Sequence, residues 1–271
     1  MKLLYSQLKE LLPGLKASPK EVGEKLTLAG LMLDGLSAVN YQGKSDWLLS
    51  LEVRQNRADC LGVLGLAKEV AAYYGLRFKL PVVRLPQPSQ KKATAIRVEA
   101  KKQIKRARAY EMTGVTNRTS PAWLKEFLKL YGINSINLLV DLSNYVMLFT
   151  GFPSHLLDQD KMQGSLRWTM NKDFGSLTTL DGSVIKLNRD EIIIQDDQKI
   201  LGLAGIVGGH AAAIDLKTRN LVAEMAIYDR VLVRRNARSL KITTEASVRL
   251  EKDLDPEGPN YALDLLISLI L

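Results

Sequence analysis

Asn220-Leu221-Val222-Ala223-Glu224-Met225-Ala226 is an apolar run broken by a single acid, and its reading decides the fold. Seven residues of this kind are expected to form a buried, central strand, with helical material following from about Tyr228. Upstream lie five short apolar segments that read as strands: Leu166–Met170, Leu177–Leu180, Val184–Leu187, Ile192–Gln195 and Ile200–Ala204. Between two of them Asp181-Gly182 is the dipeptide of a tight hairpin turn. Strands are also expected over Thr94–Glu99 and Tyr110–Thr116. Ser120-Pro121 opens a helix that Gly132 closes, and a second apolar helix covers about Ile136–Phe149. Strands and helices in this order, with no internal repeat, give an α+β fold.

Further out, Pro81, Pro86 and Pro88 mark an extended linker over 81–88. Before it, residues 1–80 are expected to form a small, mostly helical domain. Ser18-Pro19-Lys20-Glu21 is a capping box with proline at the first helical position, so one helix begins there and stops near Gly30. Another is expected over Ala58–Tyr74, ended by Gly75. After the linker, 89–271 reads as one α+β module. Its last residues, Ile267-Ser268-Leu269-Ile270-Leu271, form an apolar helix without cap or polar tail, which reads as a cut through a longer protein.

The 271 residues carry a net charge of +9, with 46% hydrophobic and 25% charged residues, an ordinary balance for a soluble protein. No apolar run approaches the length of a membrane span. Cys60 is the only cysteine, so no intrachain disulfide forms, which fits a reducing cytoplasm. Two histidines, His155 and His210, leave no histidine-rich metal site. Between Arg84 and Arg108 nine basic residues stand against one acid, Glu99. Such a stretch, with Lys101, Lys102, Lys105 and Arg106 at its heart, either contacts the phosphates of a nucleic acid or is a solvated face.

Four places could carry chemistry. Gly202-Leu203-Ala204-Gly205-Ile206-Val207-Gly208-Gly209-His210 follows a strand, and either brings backbone close to a ligand or is a bulged turn. It is neither a P-loop nor a dinucleotide fingerprint. His155, in a loop after a helix, reads more readily as a surface residue than as an acid, base or ligand. Glu224 needs a partner if it faces inward, and none if it faces water at a sheet edge. Arg234, Arg235 and Arg238 read as a solvated basic helix face. Arg249 and Glu251, two apart, cannot face each other on one helix and should pair elsewhere.

Several stretches, in order, resemble one family. These are Glu24–Leu31, Asn56-Arg57-Ala58-Asp59-Cys60-Leu61, and Val140-Asp141-Leu142-Ser143-Asn144-Tyr145-Val146. They continue with Gly151-x-Pro153-x-His155-x-x-Asp158, Leu180-Asp181-Gly182, Gly205-Ile206-x-Gly208-Gly209, Ala246-Ser247-x-Arg249-x-Glu251 and Asp255-Pro256. Together they are similar to the N-terminal part of bacterial-type phenylalanyl-tRNA synthetase β subunits. The resemblance implies an editing module over 89–271, in which tRNA mischarged with tyrosine is deacylated by water. By the same resemblance Asn144, His155, Gly205, Gly208, Glu224, Thr244 and Ala246 line its pocket. Glu224 and a backbone N–H near Gly205 would grip the tyrosine hydroxyl, while His155 and Thr244 would position the water or the terminal ribose. The partners implied are tRNA(Phe) and an α subunit in an α2β2 enzyme. ATP and Mg would serve the whole synthetase, with no cofactor in this portion.

Three departures from the family stand out. Asn134 replaces a usual Arg, Ser143 a usual Thr, and an OB-fold tRNA-binding insertion between about Ala38 and Ser50 is missing. Tyr41-Gln42-Gly43-Lys44-Ser45 would then close the gap directly, joining two N-terminal pieces into one helical domain. Asn134 also points to an alternative, a structural and tRNA-binding module whose editing has decayed.

Overall fold

A computed structural model describes residues 1–88, 94–173 and 175–271. They group into two compact units, Met1–Val83 with Thr119–Phe152, and Arg84–Arg118 with Pro153–Leu271. Lys91 and Lys92 of the basic stretch lie outside the described residues.

The first unit runs through β1 (Lys2–Leu4), α1 (Tyr5–Leu11), α2 (Pro19–Leu28), β2 (Met32–Tyr41), β3 (Lys44–Glu52) and α3 (Val63–Tyr74). Later in the chain it gains α4 (Ala122–Tyr131) and α5 (Leu138–Thr150). The capping box forms as expected, the Ser18 hydroxyl accepting from Glu21 N while the Glu21 carboxylate accepts from Ser18 N at 2.7 Å. The helix expected over 58–74 is a 3-10 turn at Ala58–Cys60 followed by α3. Gly62 separates the two, packed so tightly on the backbone of Thr150 and Gly151 that a Cβ there would collide at 2.4–2.5 Å.

This unit is not mostly helical. β1, β3 and β2 form an antiparallel sheet in that order, and the residues expected to bridge two helices are instead a hairpin. Tyr41 pairs with Lys44, leaving Gln42 and Gly43 as a two-residue turn with φ of +52° and +71°. Two positive φ values match the right-handed twist of the flanking strands, the geometry for which glycine is favoured. Leu48, Leu49 and Leu51 bury against the helices, and this burial holds the hairpin in register.

The expected division after residue 80 also differs from the observed one, because α4 and α5 group with the N-terminal elements. Leu124, Phe127 and Leu128 of α4 are fully buried. Lys2 Nζ donates to Leu130 O at 2.6 Å, Tyr131 Oη to Gln7 at 3.3 Å, and Gln42 N to the Glu126 carboxylate at 2.8 Å. Rings of Phe127, Tyr131, Tyr145 and Phe149 pack between the two helices. Asp141 on α5 is fully buried and accepts from Ser120 Oγ (2.5 Å), Ser135 Oγ (2.5 Å) and Ile136 N (2.9 Å).

The second unit contains β4 (Ile96–Val98), β5 (Ile104–Thr113), β6 (His155–Asp158), β7 (Leu166–Met170), β8 (Gly175–Thr178), β9 (Val184–Leu187), β10 (Ile192–Gln195), β11 (Ile200–Leu203), β12 (Val207–Gly208) and β13 (Asn220–Tyr228). Three helices follow, α6 (Arg230–Ser239), α7 (Glu245–Leu250) and α8 (Gly258–Ile270). A five-stranded sheet has the order β12-β11-β10-β7-β4, and a two-stranded one pairs β8 with β9. The third sheet places β13 centrally, antiparallel to β5 on one side and β6 on the other. The strand expected over Asn220–Ala226 is thus the centre of its sheet, extended to Tyr228. Burial covers both its faces, and α8 packs against β13 and β5.

Candidate active site

Register builds the site. Pairing of β13 with β6 sets Glu224 opposite His155, so the two side chains project from adjacent strands on one face of the sheet. Strand alternation puts Ala226 and Tyr228 on that same face. Together with Gly205, Ile206, Val207 and Gly208 from the turn between β11 and β12, they enclose a cavity of about 160 Å³. Ala246 and Leu250 of α7 close another wall, and Leu180, Ile194 and Leu203 supply much of the apolar lining.

Glu224 is 3% exposed, and among the described residues its one polar partner is His155, whose Nδ1 lies 3.5 Å from Oε1. That is long for a hydrogen bond, so most of the acceptor capacity of a buried carboxylate faces the cavity. The imidazole lies over glycines. A Cβ on Gly208 would stand 2.9 Å from His155 Nε2, and one on Gly202 would stand 3.3 Å from Cε1. Side chains there would displace the ring. Gly205 has φ +72° and its would-be Cβ meets the Tyr228 ring at 3.0 Å, so both conformation and space exclude other residues.

Thr244 is not part of the cavity wall. It caps α7, accepting from Ser247 N at 3.0 Å, and its hydroxyl donates to Ile206 O at 2.8 Å. With its single donor engaged, Thr244 fastens the glycine turn to the helix that carries Ala246 and cannot also donate to a substrate. Asn144 lies on α5 of the first unit, and the structure does not assign it to this cavity. Of the residues expected to line the pocket, His155, Gly205, Gly208, Glu224 and Ala246 converge.

A scan against family models finds the B3/4 domain over residues 103–271. The chain belongs to the B3/4 domain family. Its curated relatives include the phenylalanine–tRNA ligase beta subunit of Fusobacterium nucleatum, 34% identical over 85% of this chain and 29% of that protein. That of Carboxydothermus hydrogenoformans is 37% identical over 93% of this chain and 30% of the relative. The chain therefore spans about 30% of the length of these relatives. The resemblance read from the ordered motifs is borne out. Among solved structures, an N-terminal fragment of the Pyrococcus horikoshii phenylalanyl-tRNA synthetase beta subunit overlaps 83% of this chain and 67% of its own, at 16% identity and a TM-score of 0.42.

Within the B3/4 domain, Tyr228 is the site residue that sequence reasoning passed over. Burial, with the Glu224 charge nearby, pushes its phenol well above the ordinary value, so it stays neutral. Alternation along the strand signals it, since Tyr228 is four residues from Glu224 and must share its face. Arg249 pairs with Glu245 at 2.5 Å and Glu251 with Lys252 at 3.7 Å, so neither turns to the other.

The expected basic surface divides. Lys101 and Lys102 stand exposed in a turn. Lys105 pairs with Asp253 at 2.7 Å, Arg106 with Glu257, and Arg108 with Asp264 at 3.2 Å, all acids of the C-terminal segment. In the first unit, Asp59, Cys60 and Glu69 group their ligand-type atoms, but the Arg57 guanidinium bridges both carboxylates at 2.7 Å. Burial, with Asp59 beside it, pushes the Cys60 thiol up to about 12, which keeps it unreactive. No helix among the described residues is long and apolar enough to cross a membrane.

Proposed function

We propose that the cavity hydrolyses the ester between tyrosine and the 3′ end of a phenylalanine-accepting tRNA, removing a mischarged amino acid. The observation that carries this reading is Glu224, buried, facing a cavity and lacking a close partner. A void of about 150 Å³ accepts benzene, so the cavity here, of about 160 Å³, matches an aromatic ring. A phenol reaching Glu224 donates a hydrogen bond to it. A phenyl ring leaves the carboxylate desolvated and unpaired, a penalty of about 1–3 kcal/mol or more for a charge. Selection is then opposite in sense to that of an apolar synthetic site, which rejects an added hydroxyl by only about a hundredfold.

His155 borders the cavity beside Glu224, and in this reading it orients a water or the ribose. Water adds to the ester carbonyl, the bond from the carbonyl carbon to the ribose oxygen breaks, and free tyrosine and a terminal hydroxyl result. Charging itself would belong to the complete ligase, with an α subunit as partner and ATP and Mg as reactants there. Incubating the chain with tyrosyl-tRNA tests the reading. Release of tyrosine, faster than release of phenylalanine from phenylalanyl-tRNA, supports it. No release of either would leave the cavity a remnant in a non-catalytic tRNA-binding module.

A further inference from the structure

We propose that the outer face of α6 carries the RNA backbone of the substrate, with phosphates held by Arg230, Arg234 and Arg238. The identity of the polyanion rests on the hydrolase reading above; the surface itself rests on geometry. At i, i+4 and i+8 the three arginines share one helix face and span about 12 Å. All three are exposed, and among the described residues no carboxylate lies within ion-pair distance of any of them. The adjacent acid, Asp229, is engaged in capping, accepting from Val231 N at 2.8 Å and Leu232 N at 3.1 Å.

The opposite face of α6 connects to the cavity. Val233, Asn236 and Ala237 are buried, and Val233 Cγ2 is 3.3 Å from where a Cβ of Gly205 would be. The helix therefore backs the glycine turn, and its arginines stand about one helix diameter, roughly 10 Å, from the pocket. Near the row, burial holds the Lys252 ammonium below the ordinary value; Glu251, 3.7 Å away, opposes that shift, and Arg249 and Arg234 add to it. On β5, by contrast, Lys105, Arg106 and Arg108 are matched one for one by Asp253, Glu257 and Asp264. The unpaired row on α6 is thus the better counterpart for phosphates, although the stretch around β5 holds more charge.

The test is binding of uncharged tRNA to the full chain as salt is raised. Each phosphate contact to a single strand contributes about 0.7 to the slope of log K against log salt, so Arg230→Gln/Arg234→Gln/Arg238→Gln should flatten it by about two. Arg234→Glu alone should weaken binding severalfold at low salt, a second reading on an exposed position that leaves folding intact. An unchanged slope in the triple variant overturns the proposal, including when Lys101→Gln/Lys102→Gln removes the slope instead. Binding requires no ester cleavage. A chain that binds through α6 and releases no tyrosine would refute the hydrolase reading and leave this surface standing.

Discussion

Asp141 and Glu224 are carboxylates buried to nearly the same degree, 0% and 3% exposed, in different units of the chain. Asp141 accepts from two serine hydroxyls and a backbone N–H within 2.9 Å, so its charge is fully solvated by protein. Glu224 has one histidine nitrogen at 3.5 Å and an open cavity. Other deeply buried acids also have donors within the fold, Glu191 among them, which accepts from Asn188 N at 3.0 Å. Asp158 accepts from Thr218 Oγ1 at 2.7 Å, and Asp196 accepts from three backbone N–H groups at 2.7–2.9 Å. Burial of an acid is therefore not what marks a site here. An acid whose acceptor capacity the fold leaves open is a place for a donor from outside.

The comparison breaks first on stability. Asp141→Ala strands the buried Ser120 hydroxyl and removes the acceptor of Ser135 Oγ and Ile136 N, and should cost roughly 3 kcal/mol of folding free energy, read from urea or thermal unfolding. A loss under about 1 kcal/mol would mean the knot around α5 is not holding the first unit together. Next is catalysis. Gly208→Val thrusts a side chain where His155 Nε2 would be 2.9 Å away, and ester hydrolysis should fall about a hundredfold, as for other misplaced catalytic groups. Unaltered hydrolysis would remove His155 from the chemistry.

Thr244→Val should act like a small version of the Asp141 change, through loss of a helix cap at about 1 kcal/mol. If it abolished hydrolysis while the melting temperature held, Thr244 would be more than a fastener. Smallest is Glu224→Leu on stability. Replacing an underpartnered buried carboxylate by an apolar side chain should leave unfolding within about 1 kcal/mol of wild type, or raise it.

Much of this arrangement was legible in the residues. The order of strands after Leu166, the central position of Asn220–Ala226 and the capping box at Ser18 follow from local pattern and cap chemistry. Whether Glu224 faced inward did not, because burial on both sides of a central strand erases the alternation that tells faces apart. The N-terminal hairpin was missed because Gln42-Gly43 is a weaker turn signal than Asn-Gly, and because the family expectation placed a missing insertion there. Grouping α4 and α5 with the N-terminal sheet requires contacts between segments more than eighty residues apart, such as Gln42 with Glu126, which no local window contains. The charge of the stretch from Arg84 to Arg108 was plain, but the acids that neutralise part of it come from Asp253–Asp264 and emerge only when β5 and α8 pack.

The most direct test of Glu224 as selector is the ratio of tyrosyl-tRNA to phenylalanyl-tRNA hydrolysis in wild type and in Glu224→Ala. Wild type should favour tyrosine by at least tenfold, matching one hydrogen bond to a buried charge at about 1.5–3 kcal/mol. In Glu224→Ala the ratio should fall to near one, because the phenol loses its acceptor and the phenyl ring no longer strands a carboxylate. A variant that keeps the wild-type preference would contradict the selector role and leave Glu224 a buried acid without a function.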